Sequence, residues 1–386
     1  MMEPLFSIVI PVFNAAGRLE QCLESVLRQS FGGWQAVAVD DGSDDGCAQI
    51  CDSFAARDSR IKVIHTENRG VSAARNAGIA ACEGEYVMFL DSDDMLLSGA
   101  LEQLSRVCRN NVPTAPDVVI FDYAKINENE AGKIGEIKPV LHEQFPPEGA
   151  VSARRALAWL FEDRYCWNVW QAAFRRDLLV SLNASQTVEQ SRLQSNLRQS
   201  ERCSYVFDEN IRVAEDLLMF VRALIAVDNK AGDNGEERKK SRSVIFFPKP
   251  LYAYISVSDS VMNKTLTDSA KQTAAARDVI EVESRLEKIM AENPDEASEK
   301  YHFHAFHIFF SWAVRICATK STKQKKSAEQ AAAKRTASDL KRLALRVCPP
   351  FKQLNLRDKI KYFVFVSGLY KIRTVSAVFN RRSLER

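Results

Sequence analysis

The stretch Tyr86-Val-Met-Phe-Leu-Asp-Ser-Asp-Asp-Met-Leu-Leu97 sets the reading of the whole chain. Residues Tyr86 to Leu90 form a short apolar run bounded by polar signals, the pattern of a buried strand. Asp91, Asp93 and Asp94 follow directly. Strand side chains alternate faces, so Asp91 and Asp93 point the same way if the extended geometry continues. Two like charges held that close repel unless a cation lies between them. Hard divalent ions such as Mg2+ or Mn2+ take carboxylate oxygens together with substrate phosphates. One reading is therefore a metal–diphosphate site at the carboxyl end of a strand, where open α/β sheets bind ligands. The other is an Asp/Ser-rich helix cap that only ends the strand. The stretch alone leaves both open.

Upstream, Phe6 to Val12 reads as a buried strand ending at Pro11, and Asn14 to Gly17 as a turn. Leu19, Cys22, Leu23, Val26 and Leu27 then recur at helical spacing on one face. Trp34 to Val39 is a second strand that runs into Asp40-Asp41-Gly42-Ser43. A helix from Asp45 to Ala56, a strand from Ile61 to Ile64 and an Ala-rich helix from Gly70 to Cys82 lead back to the acidic stretch. The small residues of that last helix allow close packing on a sheet. After it come a helix from Ser98 to Asn110 and a fifth strand from Asp117 to Tyr123. This alternation predicts a parallel sheet with right-handed crossover helices. No Gly-x-Gly-x-x-Gly follows the first strand and no Walker sequence occurs, which disfavours a dehydrogenase-type dinucleotide site and P-loop phosphoryl transfer. Carboxylates end the second and fourth strands instead.

Downstream, Lys125 to Gly149 reads as a long loop or hairpin and Ala153 to Phe161 as a helix. Cys166 to Phe174 is an aromatic patch carrying Trp167 and Trp170. Asn183 to Arg202 and Asp228 to Arg242 read as exposed polar insertions. Between them a helix opens on Glu215-Asp216. Two strands, Val244 to Phe247 and Leu251 to Ile255, precede helices over Ser269 to Ala291 and Glu296 to Ala318. His302, His304 and His307 do not share one helical face, so packing and surface roles are expected for them rather than metal ligation.

The net charge of +3 hides an asymmetry, because residues 320–386 carry 18 Lys/Arg against 4 Asp/Glu. A basic tail on an acidic body points to an anionic surface as its partner. Lys320 to Arg335 reads as a linker. Beyond it Leu356, Ile360, Phe363, Val366, Leu369 and Ile372 alternate with basic residues in the manner of an amphipathic helix lying on a membrane. The bland alternative packs that helix on the body with its basic face solvated. No apolar run is long enough to span a bilayer, and no signal peptide is visible. The nine scattered cysteines suit reduced thiols. The tail's aromatics fall within apolar segments, so nucleic acid is not an expected partner.

Five segments in order, Ser7-Ile-Val-Ile-Pro-Val-Phe-Asn14, Val39-Asp-Asp-Gly-Ser43, Asn68-Arg-Gly-Val-Ser-Ala-Ala-Arg-Asn-Ala-Gly78, Gly84 to Asp94 and Glu215-Asp216, resemble the motif series of family 2 glycosyltransferases, nucleotide-sugar enzymes of the GT-A fold. The likeness runs from about Leu5 to Val261. It implies that Pro11 and Phe13 line the pocket for the nucleotide base and that Asp41 accepts a hydrogen bond from it, while Asp40 caps the turn. Arg75 would border the donor site, contacting it or pairing with an aspartate. Asp93 would bind Mn2+ or Mg2+, Asp91 the ribose or a metal-bound water, and Asp94 would cap the next helix. Asp216 would be the general base, with Glu215 beside it as orienter. Val169 stands where the family keeps a lysine, and this puts acceptor contacts in doubt.

The resulting expectation is an α/β chain of GT-A type, Rossmann-like with a mostly parallel sheet, over residues 1–262. A helical region over 263–319 and a basic, membrane-associating tail over 320–386 follow. The expected activity is inverting sugar transfer from a nucleotide-sugar donor, with UDP the family's commonest nucleotide, to an oligosaccharide or lipid-linked glycan. The expected place is cytoplasmic and peripheral, at the inner face of the cytoplasmic membrane. The rivals are a nucleotidyltransferase, which would need a Gly-rich, basic first loop, and a catalytically silent GT-A-like scaffold subunit.

Overall fold

The computed structural model describes residues 3–110, 115–127, 138–139, 148–162, 168–182, 206–230, 244–256, 268–292, 294–318, 327–349, 354 and 356–367. The insertions over 183–202 and 231–242, Trp167 and the tail beyond 367 lie outside the described residues. The chain divides into two units. Unit 1 comprises Met1–Ala156 with Trp167–Val257, and unit 2 comprises Leu157–Cys166 with Ser258–Arg386.

Unit 1 is built on one mixed sheet. Strand β1 (Phe6–Val12) pairs in parallel with β2 (Trp34–Asp41) on one side and with β4 (Tyr86–Phe89) on the other, and β3 (Ile61–Thr66) extends the sheet beyond β2. Every residue of β1, β2 and β4 is buried, as a central strand covered on both faces requires. The crossovers are α1 (Ala16–Leu27), α2 (Cys47–Arg57) and α3 (Val71–Ala80). Helix α3 lies so close to the sheet that a Cβ on Gly78 would stand 2.4 Å from Val9 Cγ1. Gly42 closes the turn after β2 at φ +72°, and a Cβ there would meet the Asn68 amide at 2.8 Å; both constraints demand glycine.

Past β4 the sheet departs from the expected parallel order. Strand β9 (Ala172–Arg175) enters antiparallel between β4 and β6 (Val118–Asn127). With four residues and no period it is invisible in the sequence, where it reads only as an aromatic patch. The two strands expected near Val244 and Leu251 are one strand, β10 (Val244–Ser256), parallel to β6. Its register shifts around Pro250, because a proline has no N–H for the ladder and the strand bulges there. The two-residue β5 (Met95–Leu96) pairs antiparallel with Tyr252 and Ala253 of β10. Helices α4 (Ala100–Asn110), α5 (Ala153–Leu160) and α6 (Glu215–Lys230), with the short strands β7 (Lys138–Pro139) and β8 (Gly149–Val151), complete the elements described up to β10.

Unit 2 is helical: α7 (Ser269–Ala291), α8 (Glu296–Ala318), α9 (Ser327–Val347) and α10 (Leu356–Ser367). Asp268 caps α7 by accepting the Ala270 and Lys271 amides at 2.8 and 3.0 Å. The region read as a linker is helical from Ser327 onward. Its Lys, Ala, Arg and Gln are strong helix formers, and Ala337, Leu340, Ala344 and Val347 are buried. The three histidines do not converge. His304 faces Glu283 at 3.7 Å and His307 faces Asp358 at 2.8 Å. Those carboxylates lie on other helices, which the local spacing could not show. In α10 the polar residues Asp358 and Lys361 are buried, while Ile360 is 48% exposed. No helix among the described residues is long and apolar enough to cross a membrane. The described cysteines are free thiols, all buried except the half-buried Cys348.

Candidate active site

The carboxyl ends of β1, β2 and β4 meet on one edge of the sheet in unit 1. Pro11 is buried in β1 opposite Val39, and Phe13, just past its end, is 48% exposed. A phenyl ring left half in water beside the strand ends is the feature expected of a stacking surface. Asn14 takes φ +48°. Its amide donates to Ser43 Oγ at 3.1 Å and its side-chain oxygen accepts the Asp44 amide at 3.0 Å. The loops after β1 and β2 are thereby fastened together.

Asp40 and Asp41 divide their work. Asp40 accepts the Ser43 amide at 3.1 Å, closing the turn, and lies 3.0 Å from His65 Nδ1. Asp41 accepts the Arg69 and Gly70 amides at 2.9 and 2.7 Å and the Thr66 hydroxyl at 3.2 Å. Asp41 therefore anchors the entry to α3.

The acidic loop after β4 is held from three sides. The Cys22 thiol donates to the Asp91 carbonyl at 3.6 Å. The Asp91 amide donates to the Tyr252 hydroxyl oxygen at 3.3 Å, and that hydroxyl donates to Asp94 Oδ2 at 2.6 Å. The Ile255 amide donates to Asp94 Oδ1 at 2.7 Å. Asp94 thus binds β10 instead of capping α4 as expected. The reason is β5, which pairs with β10 immediately after Asp94 and draws its carboxylate to that strand. Burial, then the charges of Asp91 and Asp93, push the Asp94 carboxyl well above the ordinary carboxylate range.

Arg75 gathers the remaining acids. It is 4% exposed, with Nη1 2.6 Å from Asp216 and 3.2 Å from Glu215, and Nη2 3.3 Å from Asp91. The guanidinium carbon also stands 5.3 Å from the Phe207 ring. Burial works against its charge, but Asp216, Asp91 and Glu215 outweigh that and raise its pKa. Of the two roles the sequence left to Arg75, pairing with acids is the one observed.

Glu215 and Asp216 begin α6, directly after Ala214, which takes φ +66°. A left-handed alanine is strained, and the strain sits where the chain turns to present this pair. The Val169 amide donates to Asp216 Oδ2 at 3.3 Å. Burial and the Asp216 charge lift Glu215 to about 8 against the pull of Arg75. Burial also raises Asp216, with Arg75 opposing and Asp91 adding to the rise.

Asp93 differs from its neighbours. Burial and the nearby Asp91 raise its pKa, and among the described residues no Lys, Arg or His pairs with it at contact distance. Arg18 opposes that rise, and the Asp93 and Asp91 carboxylates together could hold a divalent ion. No group of three His, Cys, Asp or Glu suited to a metal occurs among the described residues. A pair of carboxylates matches an ion whose other positions go to water and substrate phosphate.

Three contributors escape a reading of the sequence. Tyr252 lies in a segment the sequence marks only as apolar, yet it ties the acidic loop to β10. Trp170 stacks on Tyr252 with centroids 4.3 Å apart, and its neighbour Val169 supplies an amide to Asp216. Phe207 underlies Arg75. Only the Trp-x-x-Trp pattern hints at any of them.

The model described as "Glycosyl transferase family 2" matches residues 7–165. Over those residues the chain is similar to family 2 glycosyl transferases. EpsJ of Bacillus subtilis (strain 168), described as an uncharacterized glycosyltransferase, is 32% identical over 215 residues, 56% of this chain and 54% of EpsJ. The glycosyltransferase GlyG of Streptococcus pneumoniae is 37% identical over 130 residues, 33% of this chain and 42% of GlyG. The chain thus spans about half the length of these curated relatives. The crystal structure of S. aureus TarS 1-349 is similar with a TM-score of 0.54 and 18% identity, covering 98% of this chain and 92% of that one. At that identity the likeness speaks to the fold, which is GT-A.

Proposed function

We propose that this chain is an inverting, metal-assisted glycosyltransferase that moves a sugar from a nucleoside-diphosphate sugar to a hydroxyl of a glycan or lipid-linked acceptor. One observation carries the reading: Arg75 joins the acidic loop after β4 to the Glu215–Asp216 pair far away in sequence. Leaving-group chemistry and proton removal are thereby held by one rigid side chain.

The roles follow from charge. Asp93, with Asp91, would hold Mn2+ or Mg2+, which supplies Lewis-acid neutralisation of the departing diphosphate. Phe13 and Pro11 would border the base, beside the turn that Asp41 anchors. Burial and the neighbouring Asp216 charge raise Glu215, which suits it to orient Asp216 instead of serving as the base. Arg75 and the Val169 amide oppose the rise that burial gives Asp216 and orient it to accept the acceptor's hydroxyl proton. One base and no covalent nucleophile correspond to single displacement with inversion. The structure of TarS 1-349 in complex with UDP-GlcNAc, on the same fold at a TM-score of 0.55, favours a UDP-linked donor here. For the place of action, the basic tail and the outward Ile360 of α10 favour the cytoplasmic face of an anionic membrane.

The reading is tested by thermal shift with a panel of nucleoside diphosphates and nucleotide-sugars, with and without Mn2+, on wild type and Asp93→Ala. Metal-dependent stabilisation by one nucleotide, lost in the variant, supports it. A folded Asp216→Asn that binds donor but no longer turns it over assigns the base. No stabilisation by any nucleotide would favour the silent scaffold instead.

A further inference from the structure

Unit 2 holds a concentration of charge that the site in unit 1 does not use. Helices α7 and α9 line a cavity of about 470 Å³ in which four arginines meet: Arg277 from α7, and Arg335, Arg342 and Arg346 from α9. On α7, Arg277, Ile280 and Ser284 recur at i, i+3 and i+7. On α9, Arg335, Asp339, Arg342 and Arg346 recur at i, i+4, i+7 and i+11. Each helix therefore turns a single stripe toward the cavity.

Two of the four guanidinium groups are answered. Asp339 pairs with Arg342 at 3.1 Å, and Glu287 pairs with Arg346. Arg277 and Arg335, both exposed, pair with no carboxylate among the described residues. Like charges facing one another across two packed helices repel, so this end of the cavity is short of negative charge. Guanidinium forks match phosphate oxygens bidentately, and Ser284 adds a hydroxyl on the same stripe. The volume lies within the roughly 300–1,000 Å³ of small-molecule sites, which suits a phosphate ester or diphosphate better than a lone ion. We propose that the cavity between α7 and α9 binds a phosphate-bearing ligand, with Arg277 and Arg335 as its principal contacts. This site is independent of the reading given to unit 1.

Calorimetric titration of the full chain with inorganic pyrophosphate tests it, with EDTA present to silence metal-dependent diphosphate binding in unit 1. Wild type, Arg335→Gln, the Arg277→Gln/Arg335→Gln double variant and Arg285→Gln are compared. Arg285 lies on the same helix outside the cavity lining and pairs with Glu281 at 2.8 Å. Removing one charge-assisted hydrogen bond weakens binding roughly tenfold. Saturable binding that falls stepwise in the single and double variants, and persists in Arg285→Gln, establishes the site. A parallel arm floats the proteins with phosphatidylglycerol or phosphatidylcholine vesicles. Flotation with the former that pyrophosphate competes away, and that the double variant loses, assigns the ligand as a lipid headgroup. Pyrophosphate binding without flotation assigns a soluble phosphate ester. The proposal is overturned if wild type shows no saturable binding, if the double variant binds as wild type does, or if Arg285→Gln weakens binding equally.

Discussion

Replacing Arg75 with glutamine removes a cation that three carboxylates share while keeping a polar side chain. Arg75 is 4% exposed and lies 2.6, 3.2 and 3.3 Å from Asp216, Glu215 and Asp91. Taking one partner out of a buried ion pair costs about 3–5 kcal/mol. A loss of that size lowers the melting temperature of a unit this large by roughly 6–20 °C. The second consequence is in the pH dependence. A cation within contact distance lowers a carboxyl pKa by about 1–3 units, so Glu215 and Asp216, already raised by burial, climb further. A carboxyl whose folded pKa exceeds its unfolded value binds more protons in the folded state, and its stability contribution is lost as pH rises through the folded pKa. The melting temperature of Arg75→Gln should therefore fall more steeply than that of wild type between pH 5 and pH 8. Any donor turnover should show its acid limb displaced upward in pH. Melting curves at several pH values, in metal-free buffer, measure the first effect without knowledge of the acceptor. Parallel curves, or a variant melting within about 2 °C of wild type throughout, would refute the claim that Arg75 organises the site electrostatically.

Glu283 is buried in unit 2, and burial lifts it to about 8. Its contribution is full below its ordinary value and lost as pH rises toward 8, so Glu283→Gln should gain over wild type at pH 8.5 and much less at pH 5, as seen by differential scanning calorimetry. Tyr252→Phe keeps the stack on Trp170 but removes the hydroxyl shared by Asp91 and Asp94. It should cost about 1–3 kcal/mol and blunt the metal-dependent response to nucleotide; an unchanged response would separate Tyr252 from the site. Gly78→Ala forces a Cβ to within 2.4 Å of Val9 Cγ1 and should destabilise by about 1–3 kcal/mol in denaturant unfolding. At Ala214, held at φ +66°, substitution by glycine relieves left-handed strain and should stabilise by roughly 0.5–1 kcal/mol, whereas a drop in stability would contradict the strain.

The first half of the fold was legible because its signals are local. The β1, β2 and β4 strands are buried on both faces, so they read as unbroken apolar runs, and the helices between them carry a 3.6-residue period. Asp91 and Asp93 stood out for the same reason: charges at the end of an apolar strand mark where a chain leaves its core, whereas Glu215 and Asp216 stood out only through the resemblance of the motif series. Long-range pairing decided the rest. Strand β9 is four residues whose identity depends on neighbours at Val87 and Val119. Asp94 looks like a helix cap until β5 meets β10, and the histidines of α8 look unpartnered until Glu283 and Asp358 arrive from other helices. Lys320 to Arg335 resembled a linker because composition registers polarity before helix propensity. Above all, Arg75 lies 140 and 141 residues from the acids it clamps. No spacing rule reaches that far. The order of residues was enough to say which of the local elements form and which side chains could do chemistry. Which charges face one another was settled by folding alone, because a buried ion pair is a property of two chain segments brought out of water together.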